Sequence, residues 1–226
     1  MKAMILAAGK GERMRPLTLT TPKPLLTAGG KPLIVHHLEN LKRAGYRDIV
    51  INHAWLGEQI EQALGSGEAF GLSIRYSPEG EPLETAGGIQ RALPLLTDQD
   101  EDWFLVINGD IWCDLDLTFL TPPQDADALL VLTDNPPHNP KGDFSLQDDG
   151  SIRTTDGQRQ TFTGISLLHR RLFENLPPGT MKLAPILHEA IAEHRVKALS
   201  HTGQWMDIGT PERLQQLDTL LAGGSA

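Results

Sequence analysis

Three groups of residues in this 226-residue chain have the types and spacing that chemistry on phosphate requires. The first is Gly9-Lys10-Gly11-Glu12-Arg13, directly after the apolar run 4–8, followed by a Thr- and Pro-rich loop carrying Arg15 and, between Pro22 and Pro24, Lys23. Glycines after a strand let the backbone pass close to a ligand and turn its N–H groups toward an anion. Arg13 offers a planar fork of donors, and Lys23 a compact charge held where flanking prolines restrict the backbone. The second group is Asn108-Gly109-Asp110, after the apolar run 103–107. A carboxylate there faces the crevice of an open α/β sheet and can hold a hard cation, although a plain turn Asp reads the same way. The third is Asp207 in the segment 205–211. Thr210 already caps the helix that follows, so capping does not account for Asp207; a second metal carboxylate, if the fold brings it beside Asp110, does.

A fourth segment, residues 79–88, runs from a loop into a helix and ends in Gly87-Gly88. Paired glycines at a helix start allow flat contact with a base or a sugar, although taken alone an ordinary helix-start turn is the plainer reading. The formal charge is -9, yet residues 10–31 hold Lys10, Arg13, Arg15, Lys23 and Lys31 against the single acid Glu12. A local cationic patch on an acidic body suits a small, highly charged anion and disfavours long nucleic acids.

Other classes are excluded by pattern. No G-x-x-x-x-G-K-[ST] string occurs, and a dinucleotide fingerprint needs a third glycine where Met14 stands. The eight histidines fall at no metal-ligand spacing and read as structural or surface residues. Asp114 and Asp116 read as turn and cap residues. Cys113 is the only cysteine, so no internal disulfide is possible, and a buried, inert thiol is expected. No apolar run reaches the length of a membrane span, and Met1-Lys2 leads into the first strand without a secretory pattern. A cytoplasmic protein with no membrane or nucleic-acid partner is expected.

These groups need a frame. Ile34, Leu38 and Leu41 predict a helix over 31–44 that Gly45 stops, and further helices are expected at 56–64, 86–96, 183–193 and after Thr210-Pro211. Strands are expected at 48–52, 72–76, 103–107, 128–133, 162–169 and 196–199, with a hairpin around Asp148-Asp149-Gly150 and a fraying tail at 223–226. Alternation of strands and helices predicts one α/β domain, a three-layer, mostly parallel twisted sheet with helices on both faces in a Rossmann-like arrangement. Its ligand crevice is expected at the carboxyl ends of the strands.

Together the motifs resemble those of the sugar-1-phosphate nucleotidyltransferases. That family's strand, G-x-G-x-R-[ML]-x-P and P-K-P-[ML] are similar to residues 4–16 and 22–25; its base loop resembles 84–88, its metal segment 108–110, and its W-x-D-x-G-T-P element 205–211. The resemblance implies a Mg²⁺ ion on Asp110 and Asp207, with Arg13 and Lys23 on a triphosphate and contacts from Gly11 and Glu12. Glu79, Thr85, Gly88 and Asn108 would hold the nucleoside, so that 1–110 forms a nucleotide-binding half and 111–226 a sugar-binding half. On the sugar side the pattern departs: the E-K-P segment that supplies a lysine in many members is absent, and Thr155-Asp156-Gly157 lies near its place. Asp143 and Trp205 are the sugar-side candidates. The compact form resembles the uridylyltransferase branch, implying UTP and a sugar 1-phosphate as substrates of a monomer or small homo-oligomer. GTP with mannose 1-phosphate, dTTP with glucose 1-phosphate, or a non-catalytic sugar-nucleotide sensor are the alternatives.

Overall fold

The computed structural model describes residues 1–155 and 157–223. Asp156 and the tail residues 224–226, which carried sequence expectations, lie outside the described residues. Strand β1 (Lys2–Leu6) opens the chain, and β2 (Thr27–Ala28) and β3 (Lys31–Pro32) pair as a small hairpin at the end of the loop that follows. Next come α1 (Leu33–Arg43), β4 (Asp48–His53), α2 (Gly57–Leu64), β5 (Ser73–Pro78), α3 (Glu84–Leu96) and β6 (Trp103–Asn108), alternating as the periodicity requires. The second half holds β7 (Ile111–Cys113), β8 (Ala128–Thr133), β9 (Phe144–Leu146), β10 (Ile152–Arg153) and β11 (Arg159–His169). It closes with α4 (Leu183–Ala192), β12 (Val196–His201), β13 (Trp205–Asp207) and α5 (Pro211–Gly223). Helix α1 ends in a Schellman turn: Gly45 has φ of 91° and Tyr46 N–H donates to Leu41 O at 3.0 Å.

The central sheet has nine strands. β5, β4, β1 and β6 lie side by side and parallel; β11 then runs antiparallel to β6 and β8, and β12 returns parallel to β8. β1 is buried on both faces. Ala3 and Ile5 pack toward α1 and α2 with Ile34, Leu38 and Ile60, whereas Met4 packs toward α3 and α4 with Ile89, Ala92 and Leu187. This accounts for strands that read apolar throughout: in a three-layer sandwich both faces of the strand are core.

A third apolar cluster explains why the opening loop does not continue as a helix. Met14 is fully buried with Leu26, Leu33, Ile208 and Leu217, so the residue that breaks the dinucleotide fingerprint is an anchor pinning the loop onto α5. Burying such a side chain is worth about 1.5–3 kcal/mol. Gly29 N–H donating to Asp218 at 2.8 Å adds a polar tie between the same two segments.

His37 on α1 is buried against the backbone of Gly109 and Ile111, and burial pushes its pKa from 6.5 down to about 4. Between these two values the unfolded chain takes up a proton that the folded chain refuses, so this contribution is complete above pH 6.5 and is lost as pH falls toward 4. Its size is on the order of 3 kcal/mol. Thermal unfolding followed from neutral to acidic pH should show a falling midpoint, and His37→Gln should flatten that slope.

Candidate active site

The segment after β1 folds back on itself. Gly11 has φ of 62°, and Thr18 Oγ1 donates to its carbonyl at 2.7 Å; a Cβ at Gly11 would stand 2.9 Å from the Thr18 methyl group. This draws Lys23, in a tight 3₁₀ turn, up against the glycine loop. Its side chain is only 10% exposed and its Nζ lies 2.8 Å from Asp110 Oδ2. Gly9, Gly11, Glu12, Arg13, Lys23 and Asp110 line one cleft of about 340 Å³. Glu12 and Arg13 are exposed at its rim.

Asp110 arrives there because β1 and β6 pair in parallel with Leu6 opposite Asn108, so the two loops leave the sheet side by side. Gly109 N–H donates to Leu6 O at 2.9 Å, and a Cβ there would come within 2.6 Å of that oxygen. Asp207, about a hundred residues later, is delivered by a small antiparallel pair. β13 lies against β7 with Asp207 opposite Ile111, and Ile208 N–H donates to Asp110 O at 2.8 Å. The two aspartates therefore stand on neighbouring rungs. Asp207 Oδ2 accepts from Arg213 at 2.8 Å and lies 3.4 Å from His138 Nε2. Gly209 leaves room for this group: a side chain there would meet Arg13 and Asp207 at 3.0 Å and Arg213 at 2.7 Å. Gly209 lines the first cleft together with Asp110, Asp207 Oδ1 lies beside that glycine, and two oxygen-only carboxylates are the donor type that a hard divalent cation takes.

A second cleft of about 380 Å³ continues from the first, sharing Gly9, Lys23 and Asp110 and adding Asn52, Glu79, Thr85 and Asn108. Glu79 has a second task. It is buried, accepts from Asn52 Nδ2 at 2.6 Å and from Leu83 N–H at 2.7 Å, and so ties β4 to the start of α3. Asn52 in turn accepts from Ala7 N–H at 2.9 Å. Nothing in the spacing signalled Asn52, because its partners Ala7 and Glu79 lie on two other segments. The paired glycines do not form a flat platform for a ligand. A Cβ at Gly87 would strike Gly179 O at 2.2 Å, and one at Gly88 would strike Glu79 at 2.4 Å, so both are buried to let protein pack closely.

The third cleft, about 650 Å³, adjoins the second through Glu84, Thr85 and Asn108. Glu84 adopts φ of 61°, a strained conformation for a non-glycine residue, where the two clefts meet. Gly164, at a β11 bulge with φ of 83°, makes room for the Asn108 amide, which a Cβ would approach to 2.5 Å. Asp143 lines this cleft with its carboxylate accepting from Phe162 N–H at 2.8 Å and from Asn139 at 3.2 Å. Trp205, expected as a wall, lines neither cleft; its indole N–H donates to Thr163 O at 2.9 Å and its ring packs into the core. The cationic groups of this cleft are Arg159 and Lys182, the latter at the start of α4, and among the described residues neither is in an ion pair. Sequence reading passed over both, since neither lies in a motif.

The remaining expectations are settled by environment. Asp116 accepts from Thr118 N–H at 2.9 Å as a cap should. Asp114 instead accepts from Gln204 N–H at 2.9 Å and contacts His201 at the end of β12. Cys113 is half-buried rather than buried, and burial pushes its thiol up to about 11, which makes it a poor nucleophile. If Glu79 acts chiefly as a tie, Glu79→Gln forces an amide donor against one of its two donors. Denaturant unfolding should then show a loss of about 1–3 kcal/mol.

Comparison with known proteins identifies the family. A family model for nucleotidyl transferases matches residues 2–144. The chain is 54% identical to the N-acetylmuramate alpha-1-phosphate uridylyltransferase of Neisseria meningitidis serogroup B, over 97% of this chain and 98% of that protein. It is 32% identical to the mannose-1-phosphate guanylyltransferase catalytic subunit beta of Drosophila pseudoobscura, covering 93% of this chain but 60% of that longer protein. Among solved structures, a provisionally assigned glucose-1-phosphate thymidylyltransferase from Bacillus anthracis, in complex with a sucrose, superposes with a TM-score of 0.85 at 26% identity, covering 98% and 95% of the two chains. Yersinia pseudotuberculosis HddC, complexed with GMP-PN, shares the fold at a TM-score of 0.78 and 23% identity, covering 97% and 98%. No helix among the described residues is long and apolar enough to cross a membrane. The chain is a member of the nucleotidyl transferase family.

Proposed function

We propose that this nucleotidyltransferase moves a uridylyl group from UTP to N-acetylmuramate α-1-phosphate, giving the UDP-sugar and pyrophosphate, as part of cytoplasmic recycling of peptidoglycan. A monomer or small homo-oligomer would suffice, with residues 1–110 holding the nucleotide and 111–226 the sugar. The observation that carries the reaction class is the convergence of Arg13, Lys23 and Asp110 on one cleft, with Asp207 one rung from Asp110. Full-length similarity to the Neisseria uridylyltransferase supports the choice of base and sugar.

The nucleophile is a phosphate oxygen, which carries its charge near neutral pH because its second pKa is about 6. No general base is then needed. The obstacle is bringing an anion onto the α-phosphorus of a polyanion. Asp110 and Asp207 would hold a Mg²⁺ ion, which when bound supplies charge neutralisation at the α-phosphate. Lys23 and Arg13 would take up the charge that develops on the pyrophosphate leaving group, and the Gly9 to Glu12 backbone would line the triphosphate. Before substrate arrives, the contact between Lys23 and Asp110 keeps both side chains positioned. Thr85 and Asn108, at the join of two clefts, would face the nucleoside, with Glu79 and Gly88 holding that wall in place. The sugar phosphate would occupy the third cleft, where Arg159, Lys182 and the first turn of α4 offer positive charge to an anionic sugar. Asp143 would fix the loop that closes that cleft.

Similarity to mannose-1-phosphate guanylyltransferases keeps one second reading in play, GTP with mannose 1-phosphate. Pyrophosphate release from each NTP, with a panel of sugar 1-phosphates and with or without Mg²⁺, decides between them. UTP with N-acetylmuramate α-1-phosphate and Mg²⁺ should be the fastest combination, and silence with every pair would sink the enzyme reading. Lys23→Ala or Asp110→Ala should lower kcat by about 10²–10³-fold or more. Arg159→Ala should raise KM for the sugar phosphate while leaving KM for UTP within about twofold, which separates a lost binding contact from a damaged fold.

A further inference from the structure

Cys113, Asp114 and His201 form a cluster that the proposed reaction does not use. Each offers one ligand atom, and these atoms lie within 4.8 Å of one another. They come from different places: Cys113 ends β7, Asp114 follows it, and His201 ends β12. The β12 to β13 turn brings them together. Gly203 in that turn has no side chain to obstruct them, since a Cβ would come within 2.4 Å of Asp114 Oδ1 and 2.6 Å of the His201 ring. His201 Nε2 lies 2.8 Å from Asp114 Oδ1, which also accepts from Gln204 N–H at 2.9 Å, so carboxylate and imidazole are already oriented. The His201 side chain is 10% exposed. Cys113 and Asp114 also line a separate cleft of about 480 Å³, through which an ion can reach them.

We infer that Cys113, Asp114 and His201 bind a zinc-class transition metal at the end of the β7 and β13 pair, distinct from the Asp110 and Asp207 site. The donor sets separate the two. A thiolate, an imidazole and one carboxylate suit Zn²⁺ or Co²⁺, whereas two carboxylates suit Mg²⁺. Tetrahedral zinc places its ligand atoms about 3.3–3.6 Å apart, so the His201 to Asp114 contact of 2.8 Å opens by about 0.5 Å, and the Cys113 sulfur, within 4.8 Å of both, is adjusted by side-chain rotation. On binding, the metal–sulfur bond forms as the thiol proton leaves to solvent, and the contact between His201 and Asp114 is replaced by bonds to the metal. The site joins the β12 to β13 turn to the end of β7, and the same short pair carries Asp207 at its other end, opposite Ile111. Three-residue strands hold each other weakly on their own. Occupancy therefore stiffens the element that presents Asp207.

Titration of the purified chain with Co²⁺ should give one equivalent of a near-ultraviolet thiolate-to-cobalt charge-transfer band that Zn²⁺ displaces. Cys113→Ser should abolish the band and His201→Ala should weaken binding at least tenfold, while Asp110→Asn should keep it. Zn²⁺ should slow amide exchange in residues 111–114 and 204–208 of the unmodified chain and not of Cys113→Ser. The inference is overturned by the absence of a thiolate band, by its survival in Cys113→Ser, by its loss in Asp110→Asn, or by exchange in those segments that Zn²⁺ does not slow.

Discussion

The arrangement of the site depends on one constraint, the position of β1 at the centre of the parallel sheet. It is paired on one edge with β4 and on the other with β6, and it is buried on both faces. Parallel neighbours leave the sheet in the same direction, so the glycine loop after β1 and the Asn108-Gly109-Asp110 turn after β6 emerge together. Asn52, at the end of β4, reaches Ala7 N–H from the other side. A shift of register by one residue would exchange the two faces of β1 and send Ile5 toward α3 and Met4 toward α1. The site is held in place by the same burial that holds the core.

Around that centre, each irregular feature has a packing reason. Met14 fills the space beneath α5, which turns the opening loop back toward the crevice. Gly109, Gly88 and Gly164 each occupy a place where a Cβ would strike a backbone oxygen or a side chain lining a cleft. The charges are arranged with similar economy: Lys23 rests on Asp110, and Arg213 on Asp207. Removing carboxylates or cations singly would leave the partner uncompensated in a partly buried setting. A net charge of -9 is thus compatible with a crevice that receives polyanions, because Lys10, Arg13 and Lys23 line one cleft beyond the end of β1.

Much of residues 1–110 was legible in the sequence. The alternation of elements from β1 to β6 follows from periodicity, since local hydrophobic pattern and burial agree there. Asp110 could be singled out because it follows a strand end beside Gly109, Arg13 because it follows the glycine pair of the first loop, and Lys23 because prolines flank it. Residues 111–226 were less legible. Arg159 and Lys182 belong to no motif, and β11 is reversed relative to β6, which periodicity cannot reveal. Trp205 belonged to a recognisable segment, yet the indole turns toward Thr163 and the core. The glycine pair at 87–88 has the spacing expected of a ligand platform, yet Gly87 packs against the 179–181 segment and Gly88 against Glu79.

The sequence by itself determined the class of fold and singled out Arg13, Lys23 and Asp110 as candidates, because both rest on local rules: strand and helix periods, glycine conformations, proline restriction and charge counted along a short segment. Only the tertiary structure decided which distant groups meet. The pairing of β7 with β13 brings Asp207 to Asp110 and His201 to Cys113 and Asp114. Glu79 is committed to Asn52 and Leu83 by the packing of β4 against α3. The physical reason is that non-local contacts are selected by burial and hydrogen-bond satisfaction over the whole chain, and no window of neighbouring residues contains that information.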